Sequence, residues 1–144
     1  MRDSYSITKK ALALNPGTLG STTVGPVVDM AGYQRALLDL SIGPGGITFD
    51  STNKVTYKLE HGDAFDASDM VAVTDADVLG VSGISGGVIK SLTAAHASSE
   101  ITKFGYLGIK RYTRLTATFA GTHATGTSMA ASWSLSDPGR SPVS

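Results

Sequence analysis

Hydrophobic and polar positions alternate with a period of two over several short stretches of this chain, and most of these stretches end in a glycine- or proline-rich turn. Ala36, Leu38, Leu40 and Ile42 fall on one face, with Arg35, Leu37, Asp39 and Ser41 on the other. Successive side chains of an extended chain point to opposite sides, so this pattern predicts a half-buried strand. Gly43-Pro-Gly-Gly46 then ends it, since glycine and proline favour turn geometry over a ladder. Val55, Tyr57 and Leu59 alternate with Thr56, Lys58 and Glu60 in a second strand, and Met129, Ala131, Trp133 and Leu135 with Ser128, Ala130, Ser132 and Ser134 in the last. Shorter strands are predicted at Ile47–Asp50 and Val88–Leu92, and from Val71 to Val73 before one helical turn at Asp75–Leu79. The loop around Gly121 and Gly126 reads as a hairpin.

The segment from Lys103 to Phe119 keeps the alternation longest and carries Lys103, Lys110, Arg111 and Arg114 interleaved with Tyr106 and Tyr112. As one straight strand, Tyr106–Phe119 would run about 46 Å at ~3.3 Å per residue, too long for a domain of this size. A bulge or bend near Gly108–Arg111 is therefore expected, with Arg111 marking it.

Together the elements predict an all-β fold, an antiparallel β-sandwich or jelly roll of six to eight strands spanning residues 26–137. Residues 1–25 contain Asn15-Pro-Gly17, Gly20 and Gly25-Pro26 and little periodicity, which predicts an extended N-terminal arm. Ile7, Ala11, Leu12 and Leu14 are more apolar than a solvated tail needs. An arm whose Ile7, Leu12 and Leu14 lie across a neighbour accounts for them, and it predicts that removing residues 1–20 leaves a folded domain. Residues 138–144, which contain Pro138-Gly139 and Pro142, are expected to form a C-terminal tail.

Composition narrows the function. Charged residues are 17% of the chain, against about 25% in a typical soluble domain, and Gly, Ser and Thr fill the difference. That suits a turn-rich β protein or a subunit largely covered by neighbours. Twelve acidic residues balance twelve basic ones, so no net field steers the chain to nucleic acid or to an anionic membrane. With no cysteine, disulfides and thiolate metal sites are excluded. The N-terminal apolar run, Ala11–Leu14, is too short for a signal peptide. A soluble protein made in the cytoplasm is expected.

Four patterns carry candidate chemistry, and each has a plainer reading. Gly83-Ile-Ser-Gly-Gly87 matches G-x-S-x-G, but a nucleophile elbow needs a strand before it and a helix after it, and strand follows here. Asp63, Asp66, Asp69, Asp75 and Asp77 offer oxygen ligands for a cation, though not at calcium-loop spacing; turn and cap roles account for them equally. His61, His96 and His123 fall in predicted loops with no metal-ligand spacing and read as exposed. Tyr106, Lys110, Arg111, Tyr112 and Arg114 fit a nucleic-acid clamp, a solvated sheet face, or a protein contact surface, where Tyr and Arg concentrate binding energy. Neutrality weighs against the first, and the last is favoured. Neither a cofactor nor an enzymatic activity is predicted. A carbohydrate-binding module needs exposed aromatic rings, and Trp133 lies on the apolar side of its strand.

In the order Tyr57-Lys-Leu-Glu-His-Gly-Asp63, Asp77-Val-Leu-Gly80 and Gly105-Tyr-Leu-Gly-Ile-Lys-Arg-Tyr-Thr-Arg114, the chain resembles short proteins encoded in the head-gene region of tailed bacteriophages. The likeness spans roughly residues 30–136 and supplies no catalytic residues. It implies a virion structural protein made in the bacterial host: a decoration (cement) protein on the capsid exterior, or else a head–tail connector or tail component. Its partners would be the major capsid protein and neighbouring copies of itself, joined as a trimer.

Overall fold

The computed structural model describes residues 3–139 and shows two antiparallel sheets packed around one core. After a 3-10 turn at Tyr5–Ile7, the strands are β1 (Thr8–Leu19), β2 (Thr23–Val24), β3 (Val28–Asp29), β4 (Tyr33–Ile42), β5 (Lys54–Gly62), β6 (Val71–Ala72), β7 (Val78–Leu79), β8 (Val88–Leu92), β9 (Glu100–Tyr106), β10 (Tyr112–Ala120) and β11 (Thr127–Pro138). Four of these are two residues long, leaving seven of substantial length, within the expected six to eight. One sheet runs β1-β11-β4-β9-β7. The other centres on β10 and β5, with β2 and β3 on the far side of β10 and β6 and β8 on that of β5.

The inward faces match the sequence pattern. Leu38, Leu40 and Ile42 of β4, Val55, Tyr57 and Leu59 of β5, and Met129, Ala131, Trp133 and Leu135 of β11 are all buried. Trp133 is fully enclosed in this core, so it offers no platform for a sugar ring.

Four local expectations are corrected. The Lys103–Phe119 segment is not one bulged strand. It ends β9 at Tyr106, crosses to the other sheet through Leu107–Arg111, and restarts as β10; the length limit was sound, but a sheet switch satisfies it. The Gly121–Gly126 loop is not a hairpin either, because β10 already pairs on both edges and β11 pairs with β1 and β4. Its two glycines, at positive φ, turn the chain between sheets. Residues 47–50 form no strand, although Phe49 is buried. The turn at residues 75–77 leads into β7 rather than into a helix.

The N-terminal region also differs from a free arm. Residues 8–19 form an edge strand whose ladder with β11 runs from Thr8↔Ser136 to Leu19↔Thr127. Register shifts between Leu12 and Leu14 and between Leu14 and Gly17 break the alternation, so that Ala13 and Leu14 are both fully buried. Pro16 is tolerated because it lies on an edge strand at a bulge. Gly25 fastens this strand to the second sheet. Its N–H donates to Leu115 O at 2.8 Å, and a Cβ there would run into the Ala13 carbonyl.

This arrangement reverses the expectation for truncation: loss of residues 1–20 removes the edge strand that supplies Ala13 and Leu14 to the core. A sharper check separates two leucines of β1. Leu14→Ala is expected to cost about 3 kcal/mol in urea unfolding, as for a fully buried leucine, and Leu12→Ala less than about 1 kcal/mol. Equal, small effects would restore the free-arm reading.

Candidate protein-contact surface

The strand registers define one end of the sandwich. The row Lys9↔Leu135↔Ala36↔Tyr106↔Val78 crosses the five-stranded sheet, while Tyr112↔Gly62 marks the same level on the other. Beyond these rows lie the loop at residues 62–70, the Leu107–Arg111 crossover and the start of β4. The Leu107 N–H donates to Asp77 O at 2.7 Å, holding the crossover against the turn before β7.

Three large apolar side chains project from this end: Ile109 is 97% exposed, Phe65 71% and Leu107 55%. Phe65 meets Tyr112 edge-on with ring centroids 5.7 Å apart, and the Arg111 guanidinium lies 5.0 Å over the Tyr112 ring. A cleft of about 580 Å³ separates residues 30–36 from residues 106–111. Ile7 also emerges at this level, just before Thr8, and is exposed.

The basic residues here are held by carboxylates of the same chain. Arg111 grips Asp29 with two hydrogen bonds, Nε to Oδ1 at 3.0 Å and Nη2 to Oδ2 at 2.8 Å. Lys110 pairs with Asp63, and Arg35 with Asp137 at 3.1 Å. The remaining aspartates of the acidic loop fold the backbone. Asp69 accepts from the N–H groups of Asp63 and Ala64, Asp66 from Ser68, Asp75 from Gly83 and Ile84, and Asp77 from Thr74. These bonds favour the ionised carboxylates, and they place the pKa values of Asp66 and Asp69 below the usual range. Among the described residues, no three acidic or histidine side chains converge as a metal site. The Gly83–Gly87 stretch is a turn leading into β8, as expected. In all, this end of the sandwich carries seven aspartates (29, 63, 66, 69, 75, 77 and 137) against Lys9, Arg35, Lys110 and Arg111. A chain of zero net charge thus has an acidic end.

The predicted contact residues separate accordingly. Tyr106, Lys110 and Tyr112 gather at this end, whereas Leu12 lies on the outer face of the five-stranded sheet and Leu14 in the core. Arg114 stands opposite Glu60 on β10 and β5 and donates to its Oε2 through Nη2 at 2.8 Å and Nε at 3.2 Å. Their side chains are only 17% and 10% exposed. Burial works against the charge on Glu60, but hydrogen bonds from Lys58 and Arg114 more than offset it and hold its pKa below the usual value. Arg114 therefore holds the second sheet together.

His61 departs most from its expected exposure. It lies within β5, buried, and its Nδ1 is 2.9 Å from the Tyr106 hydroxyl on the opposite sheet. Tyr106 Oη in turn donates to Lys110 O at 3.4 Å and its ring meets Trp133 edge-on. Burial lowers the His61 pKa and raises that of Tyr106 to about 12. One polar chain thus joins both sheets to the crossover. No sequence signal marked it, because His61 and Tyr106 are 45 residues apart. Among the described residues no helix is long and apolar enough to cross a membrane. No protein-family model, curated protein or solved structure matches the chain.

Replacing Arg114 with alanine is expected to lower stability by about 2 kcal/mol, because Glu60 then keeps a mostly buried charge with Lys58 alone; denaturant titration measures this, and a change below about 0.5 kcal/mol would contradict it. His61 gives a pH signature. As pH falls below about 6.5 the unfolded chain takes up the imidazole proton first, so stability declines until the lowered folded pKa is reached. His61→Gln is expected to remove this component, and calorimetry at pH 7 and pH 5 should show a smaller drop in melting temperature than in the wild type. An equal drop would mean that His61 is not the group responsible.

Proposed function

We propose that this chain is a virion structural protein of a tailed bacteriophage, a decoration protein that binds the assembled capsid shell and stabilises contacts between capsomers. One observation carries the reading. The segment with the densest resemblance, Gly105–Arg114, is the sheet-to-sheet crossover, and it presents Leu107 and Ile109 to solvent from a rigid β frame. Exposed aliphatic side chains cost solubility and persist where a partner covers them. Here they are clustered, flanked by Phe65 and Tyr112, and supported by internal ion pairs, so their presentation costs little ordering on binding.

The surrounding surface suits repeated, shallow contact. The outward positions of β11 are Ser128, Ala130, Ser132, Ser134 and Ser136, small side chains that lose little rotamer freedom when covered. Many copies on a lattice gain avidity from individually modest contacts. A ligand that binds only the closed shell shifts the balance against its opening. The major capsid protein and neighbouring copies of this chain are the partners in this scheme, with the capsid exterior as location.

The direct test uses shells assembled without this protein. Purified chain is expected to bind them to a fixed copy number and to raise the temperature at which they disrupt, as followed by cryo-microscopy and calorimetry. Absence of binding to intact shells would overturn the proposal.

A further inference from the structure

The crossover between the sheets is held by polar bonds rather than by burial. None of Leu107, Gly108, Ile109, Lys110 and Arg111 is buried, and the cleft runs along one side of the segment. At its ends the Leu107 N–H donates to Asp77 O and the Met30 N–H to Arg111 O, each at 2.7 Å. Its middle lies on Tyr106. The Tyr106 hydroxyl donates to Lys110 O, and a Cβ on Gly108 would collide with the same ring and hydroxyl. Tyr106 in turn is fixed from the opposite sheet by His61, whose Nδ1 is 2.9 Å from Oη. With the Tyr106 proton on Lys110 O, Nδ1–H is the donor to Oη, and Nε2 is where a second proton adds.

From this geometry we infer that the His61–Tyr106 pair is a proton-operated latch: protonation of the imidazole releases Leu107–Arg111 from the frame, so that Leu107 and Ile109 are held in a fixed geometry at neutral pH and a loose one at pH 5. Regulation of contact in this way rests on reading the crossover end as a protein-contact surface, whereas the opening itself does not.

Histidine is the side chain whose ordinary titration falls between pH 5 and 8. In the closed form the His61 imidazole is buried between the sheets, where an imidazolium would lose its hydration. The groups packed around it do not make up that loss. Tyr106 on β9 and Thr113, opposite His61 on β10, are neutral, and Val71 opposite it on β6 is apolar. Asp77 before β7 and Asp63 just beyond β5 favour the charge, while Lys110 on the crossover opposes it. Asp63 is already paired with Lys110, Asp77 is bonded to Thr74, and Asp69 to the N–H groups of Asp63 and Ala64. Burial outweighs their balance, so the closed form holds the proton less tightly than an open one. Moving the crossover away admits water and withdraws Lys110, which relieves both penalties.

The closed form is therefore favoured above the ordinary histidine value of about 6.5 and loses ground as pH falls below it. Between pH 7.5 and pH 5 one proton favours the open form by at most about 30-fold. That multiplies a minor open population without unfolding the sandwich.

Hydrogen exchange on the full-length chain tests the latch. After correction for intrinsic exchange rates, the amides of Leu107 and Met30 are expected to lose between about fivefold and about 30-fold in protection from pH 7.5 to pH 5. Adding about 1 M urea should leave that loss unchanged, because a local opening exposes little surface, while amides in the middle of β4 and β11 become less protected. His61→Gln should hold protection constant over this range. Tyr106→Phe, which keeps the ring beneath Gly108, should reduce protection already at pH 7.5. Constant protection in the wild type, a loss as sensitive to urea as that of the core amides, an unaltered loss in His61→Gln, or full protection in Tyr106→Phe would each overturn the inference. Shells assembled without this protein separate the latch from the contact reading, since the wild type should leave them faster at pH 5 than His61→Gln does. If exchange shows the opening but both proteins leave shells equally fast, the latch stands and the crossover is not the contact. If shells bind the wild type but exchange at Leu107 and Met30 is independent of pH, the latch fails alone.

Discussion

The register of β11 between β1 and β4 is the constraint on which the rest of the sandwich depends. β11 is a twelve-residue strand paired on both edges, and its inward set, Met129, Ala131, Trp133 and Leu135, is buried throughout. A slip of one residue would expose that set and bury serines instead. Trp133 in its proper place meets Tyr106, and Tyr106 reaches His61 on the opposite sheet. The same register fixes β1, whose Ala13 carbonyl sits against Gly25 and closes one side of the sandwich. Core, seam and crossover are thus set by one strand's alignment.

Electrostatics act locally in this molecule. Net neutrality suggests an evenly mixed surface, but the charges are sorted, with aspartates folded into the loops at one end and lysines spread over the sheets. Most of those aspartates bond to backbone N–H groups rather than to bases. They turn the loops while giving that end its sign. Arg111 and Lys110 use their charge to anchor the crossover, and Arg114 uses its charge within the second sheet. The tyrosine–arginine stripe that looks like one surface in the sequence is therefore divided among three jobs, the third being the contact of Tyr106 with His61 that joins the sheets.

The alternation made the long strands legible, because burial on a sheet follows the same period as side-chain direction. β4, β5 and β11 were readable for this reason, as was the burial of Trp133. β1 was not: two bulges place Ala13 and Leu14 on the inside in succession, and Asn15-Pro-Gly17 looks like punctuation. Leu107 and Ile109 misled in the opposite sense, since they continue the period of β9 although the chain has left the sheet. The exposed tip was hidden because an isoleucine in an alternating run reads as core. The His61–Tyr106 contact was out of reach for a different reason: local sequence carries no record of which residues the two sheets bring together.

The irregularity of β1 has a consequence for how the protein tolerates crowding. A long edge strand displays unpaired backbone groups that invite another chain to add a strand. Here Pro16 lacks an N–H, the bulges interrupt the spacing of the remaining groups, and Lys9 is turned to the core side of the strand yet stays exposed at its margin. An incoming strand would find no continuous ladder and would have to desolvate an ammonium group. The bulges that bury Ala13 and Leu14 thus also act as a safeguard against fibrous aggregation, and contacts between molecules are left to side chains, where they can be specific.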